Sequence, residues 1–208
     1  MLAQTLVLAT VLAAASGSAV GANIVELWDQ VQAPPAPKLA TPTVKAGSTA
    51  LLLLDIEQLT CNQEGRPRCV AAVPAVARFL ERARTAHLPV FYSNTPRGSR
   101  DTILAPVAPR EDEPIVKSSV NKFTGTKLDD LLKARDVKTV VVCGTSASGA
   151  ALHTATGAAQ LGYQVVLPVD CVTGSSLYEE QAAVWSLING PGTARSLTAT
   201  ALDSIKIE

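Results

Sequence analysis

The sequence predicts an α/β fold, a doubly wound, mostly parallel sheet of about six strands flanked by helices. Three observations predict it. Short, continuously apolar runs alternate with longer amphipathic ones through the body of the chain, the order expected when strands are joined by crossover helices. The strand-like runs lack the in–out alternation of a half-exposed sheet, so they read as strands covered on both faces. One of them, Thr139–Cys143, leads through Gly144 into the small-residue run SASGAALHTATGAA. A strand that feeds a helix through a glycine turn leaves unsatisfied backbone N–H groups above the strand end, a common place for a ligand.

The elements follow in order. Residues 2–22 are apolar and small, with no Lys or Arg before Lys38. The apolar stretch from Leu6 to Ala15 is short for a membrane span, and Ala19-Val20-Gly21-Ala22 resembles a signal-peptidase site. Residues 1–22 therefore read as a cleaved signal peptide, implying a secreted or periplasmic protein with no stable membrane insertion. Residues 23–48, with APPAPK and TPT, read as an extended arm. Residues 49–208 form the expected domain, which at 47% apolar composition can bury a core.

Ala50–Asp55 (ALLLLD) is the first buried strand, with a carboxylate at its end. Val73–Ala86 reads as a helix with Pro74 in its first turn and Val76, Phe79, Leu80 and Ala83 on one face. Pro89–Ser93 is the second strand, and its exit loop NTPRGSR carries Arg97 and Arg100. Glu113–Lys117 is a short strand ending in a lysine. Thr126 opens a helix with Asp129 in a capping-box-like pair. Gln164–Asp170 is a fifth strand, Ser176–Asn189 a long helix, and Ala199–Ile207 a terminal strand.

Eighteen basic and eighteen acidic residues give no net charge and form no long block of one sign, which argues against a nucleic-acid partner. Four cysteines suit an exported protein. Cys61 and Cys69 bracket a polar loop that a disulfide could close, while Cys143 and Cys171 read as core or strand-end residues. No C-x-x-C spacing points to zinc.

Candidate chemistry gathers at the strand ends, where open α/β sheets place their ligands. Asp55 is either a functional carboxylate or a loop cap. Lys117 is either an exposed head group on a snorkelling stem or a partner for Asp55. Ser148 reads as an N-cap. His87 and His153 stand alone and read as helix residues.

Taken together and in this order, LLLLDIEQ, KSSVNKFTGT and GTSASGAALHTATGAAQLGY resemble the isochorismatase-like hydrolases, the superfamily that includes nicotinamidases and other cysteine amidohydrolases. The likeness runs from about Thr49 to Asp170. It implies a three-layer sandwich and an acid–lysine–cysteine triad, which falls on Asp55, Lys117 and Ala150. It also implies a cis peptide at Thr145–Ser146 forming an oxyanion hole, with Gln58, Phe123 and Ser148 facing a small-molecule substrate; the exit-loop arginines Arg97 and Arg100, read from the loop itself, are either solvated or placed to meet a carboxylate on that substrate. A homodimer is common among such proteins. The paired histidines of the metal-binding branch have no counterpart, so neither a catalytic metal nor another cofactor is expected.

Ala150 changes the chemistry, because a methyl group cannot attack a carbonyl. The isochorismatases themselves, within the same resemblance, lack the cysteine and hydrolyse a vinyl ether by protonation. The expected activity is therefore hydrolysis of an enol ether, and less so of a C–N bond, with Asp55 as general acid and Lys117 as its partner. The alternatives are a binding protein that keeps the pocket without the chemistry, and a cysteine amidohydrolase whose nucleophile Ala150 replaces.

Overall fold

A computed structural model describes residues 21–208. The signal-peptide reading of residues 1–22 falls almost wholly outside these described residues. The chain divides into two units after Ala36. In the first, the described residues hold a single 3-10 turn, Trp28–Gln30. No helix among the described residues is long and apolar enough to cross a membrane.

Residues 37–208 carry nine strands and four α-helices in the order β1 (Thr43–Val44), β2 (Thr49–Leu54), α1 (Pro67–Thr85), β3 (Val90–Asn94), β4 (Ile115–Lys117), α2 (Leu128–Lys133), β5 (Thr139–Thr145), α3 (Leu152–Gln160), β6 (Gln164–Pro168), β7 (Val172–Thr173), α4 (Leu177–Asn189), β8 (Leu197–Thr200) and β9 (Lys206–Ile207). The main sheet has seven strands, ordered β4-β3-β2-β5-β6-β8 with β7 also paired to β5, and every pairing in it is parallel. The seventh strand, beyond the six expected, is the two-residue β7. Strands β1 and β9 form a separate parallel pair, so residues 37–48, read as arm, belong to the domain, and the expected terminal strand is split in two.

The unbroken apolar runs do what such runs should in a parallel sheet, which is to bury both faces. Along β2, Ala50, Leu52 and Leu54 face a core shared with α2, α3 and α4, built from Leu128, Leu132, Ala155, Ala158, Ala183 and Leu187. Leu51 and Leu53 face the other way, onto Val73, Val76, Phe79, Leu80 and Ala83 of α1. Helix α1 begins six residues before its expected start: Pro67 takes the first turn, and Pro74 lies inside the helix. Helix α2 starts at Leu128 rather than Thr126, because the Thr126 hydroxyl donates back to the Lys122 carbonyl while accepting the Leu128 N–H.

The chain builds outward from β2 through β3 to β4, then crosses over to β5 and continues to β6 and β8. The order thus reverses between β2 and β5. A crevice outside the strand ends at such a reversal is where this architecture binds ligands. Asp55 and the Gly144 turn flank that crevice.

Candidate active site

Strands β2 and β5 approach so closely that residue 144 has to be glycine. A Cβ there would lie 2.2 Å from the Leu54 carbonyl oxygen, and Gly144 has φ +150°. The register sets Leu54 against Gly144, so Asp55 and Thr145 leave the sheet side by side. The turn that follows contains a cis peptide at Thr145–Ser146, where the family resemblance expects one. Thr145 is buried and donates its hydroxyl to the Thr173 carbonyl, 2.9 Å away. A π-helical turn, Ala147–Ala151, then leads into α3. Ala150 sits on that turn with 3% of its surface exposed.

Asp55 adopts a left-handed conformation, φ 52°, which aspartate tolerates better than most residues. Its side chain is buried. One carboxylate oxygen accepts the Ser93 hydroxyl at 2.7 Å. The other pairs with the ammonium of Lys122, also at 2.7 Å. Burial pushes the Asp55 carboxyl above its usual range, and the Lys122 and Ser93 contacts pull it back only in part.

The lysine beside Asp55 is Lys122 rather than Lys117. Lys117 ends β4 with its side chain exposed. Lys122 is wholly buried, and its ammonium also donates to the carbonyls of Ser118, at 3.1 Å, and Ser119, at 2.6 Å. All three N–H bonds are therefore used within the protein. Helix α3 fixes this lysine. Buried Thr154 accepts the Lys122 N–H and donates to the Val120 carbonyl, and at Gly157 a Cβ would sit 2.9 Å from the Asn121 amide.

The other expected site residues separate into two groups. Ser146 and Ser148 lie on the turn, but Ser148 is not the N-cap. Ser146 holds that position, and the Ser148 hydroxyl donates to Glu179 at 2.8 Å. Gln58 and Arg97 are exposed at the loops leaving β2 and β3. Phe123, half-buried, stacks on Tyr163, ring centres 6.1 Å apart, and packs against the core on the α3 side of the sheet.

Two carboxylates tie together the loops around Asp55 and the turn, Glu57 through Asn94, Thr95 and Thr102 and Glu179 through Ser148 and Ser175, and sequence reasoning named neither. Glu57, fully buried, accepts from the Asn94 amide, the Thr95 N–H and the Thr102 hydroxyl. Burial alone would raise its carboxyl, but these donors together hold it below the usual range. Glu179 accepts from Ser175 N–H at 2.7 Å as well as from Ser148, and is lowered in the same way against the cost of burial. The only advance signal for Glu57 is an acid two residues after Asp55.

All four cysteines are paired. Cys61–Cys69 closes the loop before α1, as the spacing suggested. Cys143–Cys171 joins β5 to the residue before β7, a pairing the sequence reading, which took both as core or strand-end residues, did not name. Their separation of 28 residues hides a pairing that the β5–β7 register creates. Among the described residues no group of His, Cys, Asp and Glu is placed to hold a metal ion.

A buried acid, a lysine on it and a cis-peptide turn thus lie together at a strand-order reversal. The chain belongs to the isochorismatase family: the isochorismatase domain model matches residues 49–200. It is 25% identical over 134 residues to an N-carbamoylsarcosine amidase from Arthrobacter sp, covering 51% of each chain. It is 32% identical over 95 residues to the isochorismatase family protein YwoC of Bacillus subtilis (strain 168), covering 46% of this chain and 50% of that one. The chain thus spans about half the length of these curated relatives. Among solved structures, a cysteine hydrolase from Pseudomonas syringae pv. phaseolicola 1448A superposes with a TM-score of 0.69 at 21% identity, covering 81% of this chain and 95% of that one. An N-carbamoylsarcosine amidase from Thermoplasma acidophilum gives 0.63 at 21%, covering 75% and 97%. At these identities the superpositions establish the fold.

Proposed function

We propose that this protein hydrolyses a small molecule by acid catalysis at Asp55, an enol ether being the bond that the site serves best. The observation that carries this reading is the Asp55 carboxyl. It is buried and inclined to keep its proton, and it lies beside a turn where the family's nucleophile position is a methyl group. No free thiol exists in the chain to replace that nucleophile.

In the proposed reaction Asp55 transfers its proton to the terminal carbon of the enol ether. The C=C π pair forms the new C–H bond, and the ether oxygen lone pair stabilises the resulting oxocarbenium ion. Water adds to the cationic carbon and loses a proton to the Asp55 carboxylate. The hemiketal then collapses to a ketone and an alcohol. Lys122 has no N–H left for a substrate, so its part is to hold Asp55 and to balance the carboxylate formed after proton transfer. Asn at position 55 keeps the shape and cannot donate that proton. Asp55→Asn should lower turnover of a vinyl-ether substrate, isochorismate among those screened, by about 10²–10⁴-fold, while iodoacetamide leaves turnover intact. Retained activity in Asp55→Asn would refute the reading.

Ala150 itself favours a second reading, in which the ancestral chemistry was amide hydrolysis and the present chain only binds. Ala150→Cys distinguishes the two: strong amidase activity in that variant, with no vinyl-ether turnover by the unaltered chain, would establish the second. The two disulfides also support export to an oxidising compartment, which non-reducing mass analysis of protein recovered from outside the cytoplasm would test.

A further inference from the structure

A groove of about 540 Å³ runs between the first turns of α1 and the segment from Val169 to Thr173 that contains β7. Small-molecule sites span roughly 300–1,000 Å³, with apolar walls and a few placed polar groups. Asp55, Lys122 and the Thr145–Ala150 turn take no part in the lining of this groove. Its α1 wall is Pro67, Ala71 and Ala72, whose short side chains leave the space beside β7 open.

The opposite wall holds a hydroxyl that the protein does not use. Thr173 is 6% exposed, lines the groove, and its Oγ1 is buried with no hydrogen-bond partner. Strand alternation sets its direction. Val172 packs into the core shared with α3 and α4, so Thr173, next along β7, directs its side chain to the face that α1 covers. A hydroxyl can donate one hydrogen bond and accept others, and leaving it buried without any is costly. A ligand seated in the groove removes that cost.

The charges around the groove select the kind of ligand. Arg68 and Glu180 cancel each other through two bonds, at 2.8 and 2.6 Å. Asp170 remains, exposed, with both its oxygens accepting the Leu202 N–H, at 3.0 and 3.2 Å. A carboxylate or phosphate would meet this acid with no free cation in the lining to offset it. An ammonium would give up hydration to an alanine wall and a neutral hydroxyl. An uncharged ligand incurs neither cost.

We propose that this groove is a second ligand site, which takes a small uncharged molecule bearing a hydroxyl or amide group on an apolar body, with that group on Thr173 and the body against Ala71 and Ala72. The site backs onto the active-site turn, because the Thr173 carbonyl accepts the Thr145 hydroxyl at 2.9 Å. The proposal does not rest on the reaction assigned to Asp55.

Cyclohexanol, cyclohexylammonium and cyclohexanecarboxylate share one body and differ in the head group, so they test it directly. Titrated into the full chain and followed by ¹⁵N–¹H correlation spectra, cyclohexanol should shift the Ala71, Ala72 and Thr173 amides saturably, with a Kd of about 1 mM. Each charged probe should bind about tenfold or more weakly. Thr173→Val keeps the shape and the carbonyl bond to Thr145 but lacks the hydroxyl, and should weaken cyclohexanol about tenfold. Ala72→Leu fills the groove and should abolish its binding. The proposal is overturned by the absence of saturable shifts, by a charged probe that binds as tightly as cyclohexanol, or by an affinity unchanged in Thr173→Val. Should Thr173→Val fail to fold, undiminished binding to Ala72→Leu overturns it alone.

Discussion

Replacing Lys122 by methionine should destabilise the protein severely, whereas the same change at Lys117 should be almost silent. The structure sets the magnitude. Lys122 is fully buried, and its ammonium serves three acceptors: Asp55 at 2.7 Å, the Ser118 carbonyl at 3.1 Å and the Ser119 carbonyl at 2.6 Å. Methionine fills much of the stem volume but orphans all three. Breaking one side of a buried ion pair costs about 3–5 kcal/mol. Asp55 can limit the loss by taking up a proton, to which burial already inclines it, so the lower half of that range is expected. At roughly 2–4 °C per kcal/mol for a domain of this size, melting should fall by about 6–16 °C at neutral pH. Lys117, exposed at the end of β4, should change stability by no more than about 0.5 kcal/mol. The double variant Asp55→Asn/Lys122→Met, compared with both single variants by thermal unfolding followed by circular dichroism, should show clear non-additivity. Equal losses for Lys117→Met and Lys122→Met, or additive ones in the double variant, would refute the pairing.

Three further outcomes follow from the site's geometry. The folded-state pKa of Asp55 is raised from 3.8, so this group contributes stability below that value and loses it as pH climbs through the raised value; Asp55→Asn should therefore gain on the unaltered protein between about pH 4 and neutrality in urea unfolding. At Gly98 a Cβ would lie 1.8 Å from a Glu57 carboxylate oxygen, so Gly98→Ala should lose about 1–3 kcal/mol by overpacking, and should show faster hydrogen exchange at Thr95 and Thr102. Replacing Cys143 and Cys171 together by alanine removes a cross-link of separation 28 and should cost about 3–4 kcal/mol on the loop-closure estimate, measured by thermal melting under non-reducing conditions.

Much of the fold was legible because parallel strands buried on both faces leave a local mark. ALLLL and TVVVC need no knowledge of their neighbours to be read as such strands. Asp55 and the Gly144 turn were legible for the same reason, each being the end of one of those runs. The lysine was not. Motif spacing points to Lys117, yet which ammonium reaches Asp55 is decided by α3, where Thr154 grips the backbone at Val120 and Lys122. That contact joins residues more than thirty positions apart, and no local pattern encodes it. The Cys143–Cys171 pairing was hidden likewise, since it depends on a two-residue strand, β7, too short to have a periodicity.

The constraints that shape the turn after β5 leave the side chain at position 150 without a structural duty. Gly144 is required by the Leu54 carbonyl, Thr145 is tied to Thr173, and Cys143 is bound to Cys171 immediately below. Beyond the turn, Ser148 is held by Glu179 and α3 is anchored to the lysine loop through Thr154. None of these contacts involves the side chain at position 150. The backbone there is set by its neighbours, so alanine preserves the turn, the buried acid and the lysine that holds it. A methyl group there offers no covalent attack on a carbonyl. The Asp55 carboxyl, bonded to Ser93 and Lys122, keeps its place whatever stands at position 150.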